Sequence, residues 1–370
     1  MKIVFTGGGT LGHIFPSIAV IREMRDIYPG SDLKLSYIGP KHNYGELLFK
    51  EQNVEVRRIL SGKIRRYFSF KNLLDVFKVP IGFIQSLFWL FIIAPDIVFS
   101  KGGYGSFPVA VACFFLRVPL VLQESDIVPG LASKITSKWA SEIFTSFSNT
   151  EYFPKDKVIC VGNPVRKELL EGTIEKAKEL FKLKGEKPVI LILGGSQGSA
   201  RINNLMIEIL PELLKSFEII HQTGRHKHLT IERESKALLS KESMSIYHLL
   251  PFLNEEQLKQ ALAVSDLVIS RAGSGALFEI ASSKKPAILI PLSNSAQDHQ
   301  KKNAYAFAEA GGGEVVEEQN LKPNFFLQKL QSLFSNKESL KIISQNSSNF
   351  SKPLAAKKIA NYLIEYLSLN

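Results

Sequence analysis

Four glycine-rich turns stand where short apolar, β-prone runs end. They are 7–12 after Lys2-Ile3-Val4-Phe5, 102–105 after Ile97 to Ser100, 194–198 after Val189 to Leu193, and 273–275 after Leu267 to Ser270. In an open α/β sheet, backbone N–H groups at such turns can cradle an anion, most often a phosphate. One glycine after a strand is usually just a tight turn; four at equivalent places point to a phosphorylated ligand. Gly7-x-Gly9-x-x-Gly12 has the spacing of a dinucleotide fingerprint. The second strand, Leu33 to Ile38, ends in Gly39-Pro40-Lys41, however, and Asp32 lies before it, so no acid is placed to hold a ribose. A nicotinamide cofactor is disfavoured. Gly194 to Ser199 lacks the lysine of a P-loop, and neither HExxH nor CxxC spacing occurs, so neither a metal nor a cofactor is expected.

Three polar groups accompany these turns. His13 follows the first glycines directly. A neutral imidazole there can take a proton from an attacking hydroxyl, and a nearby helix N-terminus would lower its pKa and keep it a base. It is one of seven histidines, and a surface or core role is the plainer alternative. Glu279 is expected in the first turn of the helix after Ser274-Gly275. It could accept both hydroxyls of a ribose there, or simply complement the helix dipole. Gln297-Asp298-His299-Gln300 offers polar groups to a sugar after strand Ile288 to Pro291, or forms a solvated loop.

These residues need a scaffold that holds strand ends together. The first half alternates strand and helix: strand 33–38, helix near 43–52, strand near 54–60, strand Ile97 to Ser100, helix Pro108 to Leu116, strand Leu120 to Gln123, helix 129–140 and strand Ile143 to Thr145. Such alternation calls for a parallel sheet covered by helices. Asp96 to Gly105 is echoed by Asp266 to Gly275, and each is followed by a helix and a proline-led strand, Pro119 to Leu122 and Pro286 to Leu289. The chain therefore reads as two similar α/β domains in tandem, with a ligand cleft expected between them. Gly162-Asn163-Pro164 marks the linker, giving domains 1–163 and 164–350 and a closing segment, 351–370, that carries an amphipathic helix with Pro353 early in its first turn. A length of 370 residues suits two cores.

Composition narrows the partners. Two cysteines make no disulfide framework, which suggests a reducing compartment, and the first apolar run, about four residues, is short for an export signal. The net charge of +11 fits polyphosphate ligands, an anionic membrane surface or nucleic acid; no recognisable nucleic-acid motif accompanies it, so nucleic acid is not expected. Arg57, Arg58, Lys63, Arg65, Arg66, Lys71 and Lys78 face only Asp75 and interleave with Ile64, Tyr67, Phe68, Phe70, Leu73, Leu74 and Phe77. That pattern reads as a membrane-surface segment or as a core helix with a basic rim. Val79 to Ala94, the most apolar run, is shorter than the roughly 20 residues a span needs and is expected to be a buried helix.

Taken together and in order, Gly8-Gly9-Thr10-Leu11-Gly12-His13, Lys101-Gly102-Gly103-Tyr104, Val161 to Arg166, Gly194 to Gly198, Arg271-Ala272-Gly273 with Glu279, and Asp298-His299-Gln300 with Asn303-Ala304 resemble the MurG family over residues 2 to 320. The resemblance implies a GT-B fold of two Rossmann-like domains facing across a cleft, with the last helix returning to the first domain. It implies an inverting transfer of N-acetylglucosamine (GlcNAc) from UDP-GlcNAc, a substrate, to the 4-hydroxyl of the muramyl sugar of undecaprenyl-linked muramyl-pentapeptide, releasing UDP. The enzyme would work peripherally on the anionic cytoplasmic face of the cell membrane. His13 would be the base. Thr10, Leu11, Gly12, Asp126, Arg166, Ser196, Leu253, Ser274, Gly275, Ala276, Leu277, Phe278, Glu279 and Gln300 would bind UDP-GlcNAc. Ile64, Arg65, Arg66, Tyr67, Phe68, Phe70 and Lys71 would face the membrane. The chain departs from the family at Leu11, where a glycine is usual, at Ala276, where threonine is common, and at Gln123-Glu124-Ser125-Asp126, where the family has His-Glu-Gln-Asn. These departures leave room for another lipid acceptor such as diacylglycerol, or for a nucleotide-sugar binding protein without turnover.

Overall fold

Apolar runs of this kind become strands buried on both faces, and the computed structural model arranges them in two parallel sheets. Residues 1–62, 70–148, 151–195 and 197–369 are described. Two compact units divide the chain, Met1–Arg166 with Pro353–Asn370, and Lys167–Lys352.

The first unit holds β1 (Lys2–Thr6), β2 (Lys34–Gly39), β3 (Glu55–Arg58), β4 (Ile97–Ser100), β5 (Leu120–Glu124), β6 (Glu142–Thr145) and β7 (Val158–Cys160), in the order β3-β2-β1-β4-β5-β6-β7. Its connections carry α1 (Leu11–Ile27), α2 (Asn43–Glu51), α3 (Phe70–Ile93), α4 (Phe107–Leu116) and α5 (Leu131–Thr136). Ile3, Val4 and Phe5 are fully buried at its centre.

The second unit repeats the plan with β8 (Val189–Leu193), β9 (Glu218–Gln222), β10 (Tyr247–Leu250), β11 (Leu267–Ser270), β12 (Ala287–Leu289) and β13 (Gly313–Val315), ordered β10-β9-β8-β11-β12-β13. Its helices are α6 (Ile174–Phe181), α7 (Ala200–Ser216), α8 (His228–Leu238), α9 (Lys241–Met244), α10 (Glu255–Val264), α11 (Ser274–Ser282), α12 (His299–Glu309), α13 (Pro323–Ser335) and α14 (Lys337–Phe350). The last helix, α15 (Ala355–Leu369), belongs to the first unit and packs on α1. In both sheets the order reverses where the two central strands meet, β1 with β4 and β8 with β11. Doubly wound sheets bind ligands at that switch point. All four glycine turns lie there.

Several expectations need correction. The stretch 158–166 contributes an edge strand, β7, before the linker. Helix 129–140 is the shorter α5, and Pro353 precedes α15 instead of sitting in its first turn. The run 79–94 is not a buried helix. Within α3, Gly82, Ser86 and Leu90 are buried while Phe83, Leu87 and Trp89 pack beside the α4 core. Phe77, Ile81, Ile84, Phe88 and Phe91 recur three or four apart, and all are exposed, Phe91 to 78%. The sequence places an apolar residue on both sides of the helix, and the fold covers only one. The stripe continues onto α4, where exposed Phe115 meets Phe83 edge-on with centroids 5.4 Å apart. Ile64, Arg65, Arg66, Tyr67 and Phe68 lie outside the described residues, and Phe70 and Lys71 are the first residues of α3.

Candidate functional site

In the first unit, β1 runs into Gly7-Gly8-Gly9-Thr10 and α1. Gly9 has φ +105° and Gly103, in the turn after β4, has φ +81°, a region side chains rarely enter. The two turns interlock. A Cβ on Gly9 would collide with the Tyr104 ring, and one on Gly103 would come within 2.9 Å of His13 Nε2. His13 is the third residue of α1 and half-buried, and its Nδ1 lies 3.2 Å from Thr10 Oγ1. If Nδ1 carries the proton and donates it to Thr10, Nε2 is left with its lone pair, the form a base needs. Leu11 is 8% exposed, so its side chain faces the core and only its backbone remains for a ligand. The bulk it adds relative to a glycine is therefore taken up inside the unit. Gly12 and Thr10 are exposed. The Arg166 guanidinium is buried and stacks 3.8 Å above the Phe15 ring, also on α1.

Beneath these turns the strand ends carry charge. Lys101 and Glu124 are both buried, and Glu124 accepts the N–H groups of Ser125 at 2.9 Å and Asp126 at 3.2 Å. Gln123 donates to Ser146 Oγ at 3.1 Å and faces the interior. Gln123 therefore supports the turn from inside, while Asp126 is half-buried. Sequence reasoning treated Lys101 and Glu124 as parts of motifs; a lysine among apolar strand residues was the available signal.

In the second unit, β8 enters Gly194-Gly195 and reaches α7 through Gly198 and Ser199; Ser196 lies outside the described residues. Gly198 has φ +79°, and a Cβ on it would strike the Thr223 carbonyl, so the turn presses against the end of β9. Gln222 joins two parts of the site. Its Nε2 donates to the Gly195 carbonyl at 2.9 Å, and its Oε1 accepts the N–H of Leu253, itself buried, at 3.1 Å. Nothing in the sequence pattern marks Gln222, because both partners are backbone groups from other turns.

Around α11 the chain opens outward. Neither Gly273 nor Gly275 has any atom within 4 Å of where a Cβ would stand, so the helix N-terminus is uncovered. Ser274 is buried, and Leu277 and Phe278 turn into the core at 0% and 1% exposure; the Leu277 N–H is already bonded to the Gly273 carbonyl at 3.0 Å, so only the amides ahead of it remain for a ligand. Gly275, Ala276 and Glu279 share the half-exposed face. Glu279 is the sixth residue of α11, in its second turn, which corrects the first-turn expectation: the helix starts at Ser274, and no acid occupies its first turn. A dipole-complementing role is thereby weakened, since that effect fades within one turn.

An ion pair frames this edge. Arg271 Nη2 lies 2.5 Å from Glu318 Oε1 and donates to Ser199 Oγ at 2.6 Å, while Nη1 donates to the Ile290 carbonyl at 3.0 Å. Burial pulls the Glu318 carboxyl up, but hydrogen bonds from Ser293 and Arg271 hold it below the usual carboxylate range. Gly198, Ser199, Arg271, Ser293 and Glu318 line a cavity of about 530 Å³. Asn303 donates to the Ala272 carbonyl at 3.3 Å, tying α12 to the turn before α11. Gln300, near the start of α12, accepts the Leu292 N–H at 3.0 Å, so the 297–300 segment is a helix entry and not a solvated loop.

Two Rossmann-like units with parallel strands in this order, each with glycine turns at its switch point, define the GT-B class of glycosyltransferase folds. The solved structure of MurG from Acinetobacter baumannii has this fold, with a TM-score of 0.73 over 98% of this chain and 99% of that one, at 23% identity. Residues 3–145 match the glycosyltransferase family 28 N-terminal domain, and residues 189–359 match its C-terminal domain. A protein of Clostridium tetani named UDP-N-acetylglucosamine–N-acetylmuramyl-(pentapeptide) pyrophosphoryl-undecaprenol N-acetylglucosamine transferase is 38% identical over 94% of both chains. One of the same name from Treponema denticola is 36% identical over 99% of this chain and 98% of its own. The chain belongs to glycosyltransferase family 28 and, within it, to the MurG family.

Proposed function

We propose that this protein transfers GlcNAc from UDP-GlcNAc to the 4-hydroxyl of the muramyl sugar of muramyl-pentapeptide pyrophosphoryl-undecaprenol, with inversion, in peptidoglycan synthesis. The observation that carries the reading is full-length likeness, at 36–38% identity, to relatives named for that reaction. In it the acceptor hydroxyl attacks the anomeric carbon, the bond from that carbon to the diphosphate oxygen breaks, and UDP leaves. His13 Nε2 takes the hydroxyl proton in the tautomer whose Nδ1–H donates to Thr10 Oγ1. The amides at the start of α11 receive the negative charge that develops on the leaving diphosphate. Glu279 accepts from the ribose hydroxyls, and the Gln300 amide nitrogen donates to the sugar. Leu253 presents its backbone to the uracil, its N–H being held by Gln222.

The membrane part of the proposal rests on α3 and α4. Exposed apolar patches of this extent mark interaction surfaces, and a helix with one apolar face outward suits the interfacial region of a bilayer. No described helix is long and apolar enough to cross a membrane. Arg57, 4.5 Å above the Trp89 ring, adds a cation beside the stripe. Attachment is peripheral, on the anionic cytoplasmic face, where the acceptor's diphosphate and sugar emerge.

Radiolabelled UDP-GlcNAc offered to vesicles carrying either the muramyl-pentapeptide lipid or diacylglycerol tests the reading. Label should appear on the first lipid, with one UDP released per sugar. Label on diacylglycerol alone would overturn it, and UDP binding with no release on either lipid would favour a binding protein without turnover.

A further inference from the structure

Lys101 directly follows β4 with 3% of its surface exposed, an unusual place for an ammonium group. It donates to Ser125 Oγ, whose hydroxyl donates onward to Asn163 Oδ1 at 2.7 Å. A Cβ on Gly7 would come within 3.0 Å of the Lys101 Cβ, so the same lysine also backs the turn that carries His13. Glu124, which accepts the N–H groups of Ser125 and Asp126, makes the 124–126 turn around its own carboxylate. A buried cation and a buried carboxylate thus stand beside the half-buried Asp126. Burial lowers the Lys101 pKa to about 8 against the pull of Glu124 and Asp126. Burial, and then the charge of Asp126, raise that of Glu124, with Ser133 and Lys101 acting the other way.

The motif that this turn resembles has Gln and Asn where Ser125 and Asp126 stand. Putting a carboxylate in place of a neutral amide adds a negative charge next to Glu124, which would be costly in a buried corner without a counter-charge. We infer that Lys101 is a positioning residue: its ammonium compensates Asp126 and, through Ser125, holds the 124–126 turn so that Asp126 accepts a hydrogen bond from a sugar hydroxyl. Lys101 and Asp126 then form a functional pair, and neither is tolerated well without the other. This rests on the proposed function and on the family resemblance that puts Asp126 among the groups for UDP-GlcNAc.

A double-mutant cycle tests it: intact protein, Lys101→Met, Asp126→Asn and the double variant, assayed for transfer from UDP-GlcNAc to the vesicle-borne muramyl lipid. Lys101→Met should lower kcat/KM for UDP-GlcNAc at least tenfold and leave the affinity for UDP, which lacks the sugar, within twofold by calorimetry. The double variant should recover at least fivefold over Lys101→Met, because removing both charges restores the balance. Lys101→Gln, which can still donate to Ser125 but carries no charge, should lose at least fivefold yet less than Lys101→Met, separating charge from hydrogen bonding. Melting curves on the same samples establish folding; if Lys101→Met is unfolded, Lys101→Gln and its double with Asp126→Asn provide the cycle. Effects that simply multiply, or a Lys101→Gln variant at the intact rate, overturn the inference. Intact protein that transfers no sugar fails in a different arm and overturns the functional reading together with this one.

Discussion

The two sheet edges share strand order and glycine turns but are built oppositely. At the first unit's edge the turns close on each other, with Tyr104 over Gly9 and His13 against Gly103, and the groups beneath are titratable: Lys101, Glu124 and Asp126. At the second unit's edge Gly273 and Gly275 leave open space, and the surrounding polar groups, Gln222, Asn303 and Arg271, are engaged with backbone carbonyls and neighbouring side chains. On the proposed reading the first edge moves a proton and the second presents backbone amides to an anion. One fold occurs twice in the chain, and the side chains below each turn make the two edges chemically different.

The largest expected effect breaks the first edge alone. His13→Ala should lower transfer by roughly 10²- to 10⁴-fold, the range of a lost general base, while UDP affinity by calorimetry stays within twofold. Unchanged turnover would remove His13 from the chemistry. A smaller effect concerns the outer face of the same unit. Phe88→Glu with Phe91→Glu should weaken binding to anionic vesicles by up to about 10³-fold, since two buried Phe at ~2 kcal/mol each sum to ~4 kcal/mol. Equal co-sedimentation of variant and parent would make the stripe a surface without a membrane role.

The smallest effect separates the units by acid sensitivity. His221, fully buried in β9, sits 2.8 Å from the Tyr247 hydroxyl and 3.1 Å from Asn203 Oδ1, and burial lowers its pKa to about 3. An unfolded histidine takes up a proton near pH 6.5. Between that pH and about 3 the unfolded state binds the extra proton, so stability falls as pH falls, by about 1.4 kcal/mol per unit from this one group. Melting profiles between pH 4.5 and 6.5 should be shallower for His221→Gln by that amount. Parallel profiles would show that His221 does not set the acid limit.

Much of this organisation was legible in the chain. Strands buried on both faces leave continuous apolar runs, and glycines bound them, so the two sheets and four turns could be read directly. The edge strand β7 was not, because three residues next to Gly162-Asn163-Pro164 look like a turn. The outward face of α3 was hidden for a different reason: an apolar helix has the same composition whether one side or both are covered. Helix placement decided Glu279, which a shift of one turn moves from the dipole to the lateral face. Gln222 and Lys101 bond to partners in turns distant in sequence, Leu253 and Ser125, and contacts of that kind appear only after folding.

The division between the two edges is tested most directly by amide hydrogen exchange on the intact protein with and without UDP. Protection is predicted at 194–200, Leu253 and 273–280, with little change at 7–13, 101–105 and 124–126. Protection concentrated in the first unit's turns, with 273–280 unchanged, would contradict it.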